Sequence, residues 1–315
     1  MKGKILITPR SFAKTNEEPK RILKNAGYEL ICNPYGKILT KEQMIKEIRD
    51  VVGVIIGVDP LDADVLQAAP QLRAIAKYGF GTDNIDLKTA DRLGVPVSIT
   101  RNANSEAVAD YAFALMMACA RKVTIINDMC HQKDWSKIVT GDIYGKTLGI
   151  VGLGAIGKAV ARRARGFDME VLAYDIFWDE AFVNDNNIKK ASLQEIYQNC
   201  DYISLHMPLT ESTRGMLDEN AFSQMKHGTV LINTARGGLI NEGALIQALK
   251  DGVLAGAGID AFEEEPPKNE EIYLLDNLIM GSHCAASTHG ASEKMSMMAV
   301  QNLLRDLDAT EKTNR

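Results

Sequence analysis

Apolar residues recur along this chain in two alternating rhythms. Short runs at residues 4–8, 29–32, 51–56, 72–77 and 95–99 are apolar at nearly every position and read as strands. Between them, residues 17–26, 41–49 and 61–68 repeat their apolar positions at helical spacing. The second of these helices opens with Thr40-x-x-Gln43, a capping box in which each side chain satisfies the other residue's backbone N–H. A longer helical stretch fills residues 105–121, and then the alternation resumes. Strands are expected at 202–206, 229–234 and 255–260, with helices at 192–198, 218–225 and 241–250. A last helix at 292–308 carries Met295, Met297 and Met298, which read as packing. Repeated βα units imply parallel sheets covered by helices on both faces.

One stretch adds chemistry to this pattern. An apolar run ends in Gly152-x-Gly154-x-x-Gly157 and passes into a helical segment at 158–165. A second apolar run, from Glu170, ends in Asp175, 18 positions after the last glycine. Gly152 permits the tight turn, Gly154 lets a pyrophosphate approach the backbone, and Gly157 lets helix and strand pack closely. The helix N-terminus then offers free N–H groups and a positive dipole end to phosphate. A carboxylate at Asp175 accepts hydrogen bonds from an unmodified ribose and repels a 2′-phosphate. No Arg, Lys or Ser occupies residues 176–179, so NAD is favoured over NADP.

Composition narrows the picture. At 315 residues there is room for two cores. A net charge of −5 without a basic block argues against nucleic acid and anionic membrane as partners. The apolar run at the N-terminus is too short for a signal peptide, and no run approaches a bilayer span. The five cysteines are scattered and lack metal-ligand spacing, so no metal is expected and a reduced, cytoplasmic protein is.

Open α/β sheets bind ligands beyond the carboxyl ends of their strands. The polar residues there are Arg10 and Ser11, residues 77–84, His206 to Pro208, residues 233–238, Asp260 to Pro266, and Gly281 to His283. An arginine, a carboxylate cluster and a histidine at such ends suit a carboxylate-bearing substrate whose carbonyl gains a hydride and a proton.

Together these motifs, from Lys77-Tyr-Gly-Phe-Gly-Thr-Asp-Asn-Ile-Asp86 to Gly281-Ser-His-Cys-Ala-Ala-Ser-Thr288, resemble the D-isomer-specific 2-hydroxyacid dehydrogenases. That group includes D-3-phosphoglycerate, D-glycerate and D-lactate dehydrogenases. The resemblance implies two Rossmann-like α/β domains. A flavodoxin-like substrate-binding domain would comprise residues 1–100 and 286–315, and an NAD-binding Rossmann domain residues 101–285. A homodimer through the NAD domain is also implied. The implied catalytic trio is Arg236 for the substrate carboxylate and carbonyl, Glu265 as the partner of the histidine, and His283 as general acid and base. NAD would be held by Gly152, Gly154, Ala155, Ile156, Gly157, Asp175, His206, Pro208, Thr234, Ala235, Arg236, Asp260 and His283. Asp260 would accept from the nicotinamide carboxamide. Substrate would meet Arg236, His283 and the backbone N–H groups around Phe80 and Gly81.

Several positions depart from the family pattern. Ala155 stands where Arg is frequent, Asp110 where Glu is usual, Ser282 where Pro is usual, and Cys284 follows the histidine. Arg101-Asn102 replaces a frequent Pro-Gly. Arg10 and Ser11 could reach a phosphate, so a D-3-phosphoglycerate-like substrate is one expectation. The third strand, however, ends Ile56-Gly-Val-Asp-Pro60, without the arginine many phosphoglycerate dehydrogenases carry there. A glyoxylate or hydroxypyruvate reductase is the alternative, and an NAD-sensing corepressor-like protein a remote one. Glu265 argues against a formate dehydrogenase, which pairs the histidine with Gln. Phe80 stands where phosphite enzymes carry Lys.

Overall fold

The computed structural model describes residues 1–313. Two compact units divide the chain: Met1–Asn104 with the segment from Ser287 onward, and Ser105–Ala286. The first unit thus runs to Asn104 rather than to residue 100; residues 314–315 of the expected terminal segment lie outside the described ones.

The first unit is built on five parallel strands, β1 (Gly3–Ile7), β2 (Tyr28–Cys32), β3 (Val51–Ile56), β4 (Ala74–Lys77) and β5 (Val97–Ile99). Their order is β2-β1-β3-β4-β5, the flavodoxin-like arrangement. Every residue of β3 and β4 is buried, as expected when helices cover both faces. The capping box at Thr40 and Gln43 forms, and such a cap stabilises by about 1 kcal/mol. The terminal helix, His289–Thr313, belongs to this unit. On one face of the sheet, Leu6, Val54, Ile56 and Ile75 share a core with Met44, Ile48, Leu66 and Ala90 from the intervening helices.

The second unit carries seven strands: β6 (Thr147–Val151), β7 (Glu170–Tyr174), β8 (Lys189–Lys190), β9 (Tyr202–Leu205), β10 (Thr229–Asn233), β11 (Leu254–Ile259) and β12 (Leu278–Met280). Their order, β12-β11-β10-β9-β6-β7-β8, is that of a Rossmann sheet with one strand added at an edge. All recorded pairings in both sheets are parallel. One core lies under the long helix Ser105–Arg121 and the helix Ala155–Ala164, where Phe113, Met116 and Val160 pack. The opposite face is filled by Ile196, Phe222, Leu245 and Leu249.

Some elements were not expected from the pattern. The helices Leu87–Arg92 and Glu180–Asp185 are too short to display two turns of periodicity. The helix Val123–His131 buries none of its residues, and Lys122 separates it from the preceding helix in a left-handed conformation (φ 49°). The short edge strand β8 was not expected either, whereas β12 ends directly before Gly281, where a strand end was expected.

Candidate active site

The strand order of the second unit reverses at β6, between β7 and β9. Register aligns Val151 with Leu205, so the chain leaving β6 meets the chain leaving β9, and the His206 N–H donates to Val151 O at 2.7 Å. A Cβ on Gly152 (φ 99°) would lie 2.7 Å from the His206 carbonyl carbon, and one on Gly157 would lie 2.0 Å from the Gly152 carbonyl oxygen. Both glycines are therefore fixed by backbone crowding. Gly154 is the opposite case: no heavy atom lies within 4 Å of where its Cβ would be. It is the N-cap of Ala155–Ala164 and offers no side-chain cap, so the first N–H groups of a ten-residue helix open onto an exposed, bare backbone. Ala155 is exposed and Ile156 half-buried beside it.

Asp175 follows β7 directly. Its carboxylate accepts from the Leu153 N–H of the glycine loop and from the Phe177 N–H at 2.8 Å. Two buried polar atoms at this end of the sheet have no partner among the described residues: His206 Nδ1 and Thr234 Oγ1. The other His206 nitrogen, Nε2, is 2.8 Å from Ser204 Oγ, and burial lowers the imidazole from 6.5 to about 3, so it stays neutral at physiological pH. Pro208 is exposed just beyond. A bare glycine cradle, a helix N-terminus, a carboxylate at the second strand end and orphaned polar atoms fit a dinucleotide.

The remaining site residues leave β10, β11 and β12. Asn233 shapes the first loop: its amide donates to Arg236 O at 2.8 Å, and its oxygen accepts from the Ala235 N–H at 3.0 Å. Gly237 lies directly against the Phe262–Glu263 peptide, where a Cβ would come within 1.9 Å. This contact seats the Arg236 loop on the loop that carries Glu265. The guanidinium bonds Ala235 O at 2.7 Å and acts electrostatically on Glu265.

Asp260, at the end of β11, is buried, and its carboxylate accepts the N–H groups of Cys284 and Ala285, both at 2.9 Å. Its carbonyl accepts the His283 N–H at 2.8 Å. These bonds wrap residues 281–285 around one carboxylate and hold His283 at φ 55°. The imidazole Nδ1 then lies 2.9 and 3.1 Å from the two oxygens of Glu265. Burial pushes the Glu265 carboxyl up, but the His283 bond and charge, the Phe262 N–H and Arg236 together hold it below the ordinary range. Arg236, Glu265 and His283 are thus adjacent in the fold. The support given by Asp260 to the histidine loop was not visible in the sequence, because its partners are backbone amides. Tyr111 of the long helix also reaches this loop and hydrogen-bonds Cys284.

In the first unit, Phe80 and Gly81 occupy the loop after β4, with Phe80 exposed. Among the described residues, their N–H groups have no recorded partner. Arg10 is exposed after β1. No group of metal-ligating side chains occurs among the described residues, nor any helix long and apolar enough to cross a membrane.

Comparison with known proteins agrees with this arrangement. The family described as D-isomer specific 2-hydroxyacid dehydrogenase, NAD binding domain, matches residues 113–285. A glyoxylate reductase of Korarchaeum cryptofilum is 40% identical over 308 residues, covering 95% of this chain and 92% of that protein. A D-3-phosphoglycerate dehydrogenase of Pan troglodytes is 36% identical over 87% of this chain but 52% of its own length. Among solved structures, the TT0316 protein of Thermus thermophilus superposes with a TM-score of 0.89 at 34% identity, covering 97% of each chain. A D-lactate dehydrogenase of Aquifex aeolicus, complexed with NAD and lactic acid, gives 0.85 at 28% identity, covering 98% of this chain and 96% of that one. The chain belongs to the D-isomer-specific 2-hydroxyacid dehydrogenases. Within that family it is an NAD-dependent oxidoreductase acting on CH–OH groups.

Proposed function

We propose that this enzyme reduces small unphosphorylated 2-oxo acids, glyoxylate and hydroxypyruvate, in preference to interconverting D-3-phosphoglycerate. The observation that carries this reading is the end of β3. Asp59 stands there, buried, accepting from Thr8 Oγ1 and from the Leu39 N–H at 2.8 Å, so among the described residues this strand end presents an internally bonded carboxylate and no exposed cation for a phosphate, its one ammonium, Lys77, being buried on Gly57 O. Relatives matched over nearly their whole length, glyoxylate reductases among them, point the same way.

The proposed division of labour follows from the geometry. When bound, NADH supplies the hydride. Arg236 pairs its planar fork with the substrate carboxylate and polarises the carbonyl. In the first unit, the N–H groups of Phe80 and Gly81 are assigned to a substrate carboxylate. Glu265, ionised and bonded to Nδ1, fixes the ring so that Nε2 carries the proton given to the carbonyl oxygen. Gly154, Ala155, Ile156, Asp175, His206, Pro208, Thr234, Ala235 and Asp260 are assigned to the cofactor.

A second copy of the chain completes the proposed assembly. The helix Val123–His131 buries nothing, and Trp135 and Val139 remain 81% and 95% exposed in the NAD-binding unit, as an interface would leave them. Five free thiols suit a reducing, cytoplasmic setting.

The test is loss of NADH absorbance with glyoxylate, hydroxypyruvate, pyruvate and 3-phosphohydroxypyruvate, with NADPH as the control. Fastest turnover of the first two with NADH is expected; preference for the phosphorylated acid would reverse the assignment. His283→Ala should lower kcat by about 10³-fold while NADH still binds. Sedimentation should give a dimer that Val139→Glu converts to monomer.

A further inference from the structure

The first unit buries a lysine that the proposed chemistry does not use. Lys77, the last residue of β4, is 5% exposed. Its Nζ donates to Gly57 O and, at 2.8 Å, to Asn84 Oδ1. Asn84 in turn donates through Nδ2 to Gly57 O at 3.0 Å and to Asp59 O. Because an ammonium only donates, the Asn84 amide can face it only with its oxygen, which fixes the orientation of the whole side chain. The far end of the 78–84 loop is thereby tied to the chain leaving β3. At the near end, Gly79 sits at φ 136°, and its N–H donates to Thr100 Oγ1 at 2.8 Å while its carbonyl accepts from the Thr100 N–H at 3.0 Å. Between these two clamps stand Phe80 and Gly81.

We propose that Lys77, acting through Asn84, is a positioning residue for substrate: it holds the 78–84 loop so that the Phe80 and Gly81 N–H groups stay outward and available to the substrate carboxylate. This rests on the reading that those N–H groups bind that carboxylate. A buried ammonium suits the task because it supplies up to three donors at a point where two neutral oxygens from different loops converge. A methionine of similar length would fill the space but leave Asn84 Oδ1 without its ammonium donor and Gly57 O with one donor fewer, so the Asn84 amide would no longer be held in the orientation that ties the loop.

The experiment compares wild type, Lys77→Met, Asn84→Ala and the double variant, using the best 2-oxo acid of the panel and its neutral methyl ester. Lys77→Met should raise KM for the acid about tenfold with kcat little changed, the pattern of lost uniform binding. The ester, lacking the carboxylate, should show no such rise, and NADH affinity by fluorescence should stay at the wild-type value. Asn84→Ala should reproduce the effect, and the double variant should add little to either single one, since both cut the same tie. An unchanged KM for the acid, equal rises for acid and ester, or fully additive single effects would overturn the proposal. Should Lys77→Met not accumulate as folded protein, Asn84→Ala with both substrates carries the test. Wild type inactive on every acid would instead refute the proposed function itself.

Discussion

Both units are parallel sheets whose strand order reverses near the middle, yet their reversal points are finished in opposite ways. In the NAD-binding unit, the chain leaving β6 and β9 surrounds bare backbone at Gly154, with His206 Nδ1 and Thr234 Oγ1 buried and unpartnered nearby. In the first unit, the corresponding ends of β1 and β3 close on themselves. Thr8, Gly57, Asp59, Lys77 and Asn84 bond to one another there. A buried polar atom left without a partner costs about 1–3 kcal/mol. One unit carries that cost at its strand ends, where a ligand can relieve it; the other relieves it with its own side chains. The topology supplies the crevice, and the side chains at the strand ends decide whether it is a site or a plug.

That contrast can be broken most forcefully within the glycine loop. Gly157→Ala drives a Cβ to 2.0 Å from a carbonyl oxygen of the same turn, and should destabilise by about 3 kcal/mol, visible as a lower thermal midpoint. Gly154→Ser meets nothing within 4 Å. It should leave the midpoint of the free enzyme unchanged or slightly raised, serine being a good N-cap, while weakening NADH about tenfold by occupying the cradle. Equal damage to stability from both variants would erase the distinction between crowded and open glycines.

The neutral His206 gives a second effect, smaller per pH unit than the loss at Gly157. Its folded value, about 3, lies below the unfolded 6.5, so between those limits the unfolded chain binds a proton that the folded one refuses. Stability should therefore fall as pH drops below 6.5, with a contribution of about 1.4 kcal/mol per pH unit from this residue. His206→Gln should remove that contribution in denaturant titrations across the range, and an unaltered slope would refute burial as the cause. The smallest expected effect sharpens the cofactor assignment: Asp175→Ala should weaken NADH about tenfold and NADPH much less.

Much of this architecture was legible in the sequence where spacing alone carries the signal. The run from Gly152 to Asp175 specifies strand, turn, helix and strand in one pass, and the capping residues Thr40 and Gln43 mark a helix start from local chemistry. Arg236, Glu265 and His283 were legible through motif resemblance, since an acidic triplet such as Glu263-Glu264-Glu265 reads as a solvated turn by composition. What stayed hidden depends on contacts between distant segments. Nothing in the order of residues joins Lys77 to Gly57. Nor does it reveal that Asp260 holds the backbone of residues 283–285, or that the helix Val123–His131 forms without a buried face.

The way Asp260 grips the histidine loop has a consequence for how this region can change. Its carboxylate and carbonyl hold the main-chain N–H groups of His283, Cys284 and Ala285, with the Cys284 thiol adding a longer contact of 3.6 Å. Amides are the one feature that almost every amino acid shares. The main-chain bonds that place the histidine therefore do not depend on which side chains flank it, which is how this chain can carry Ser282 and Cys284 and still present the imidazole to Glu265.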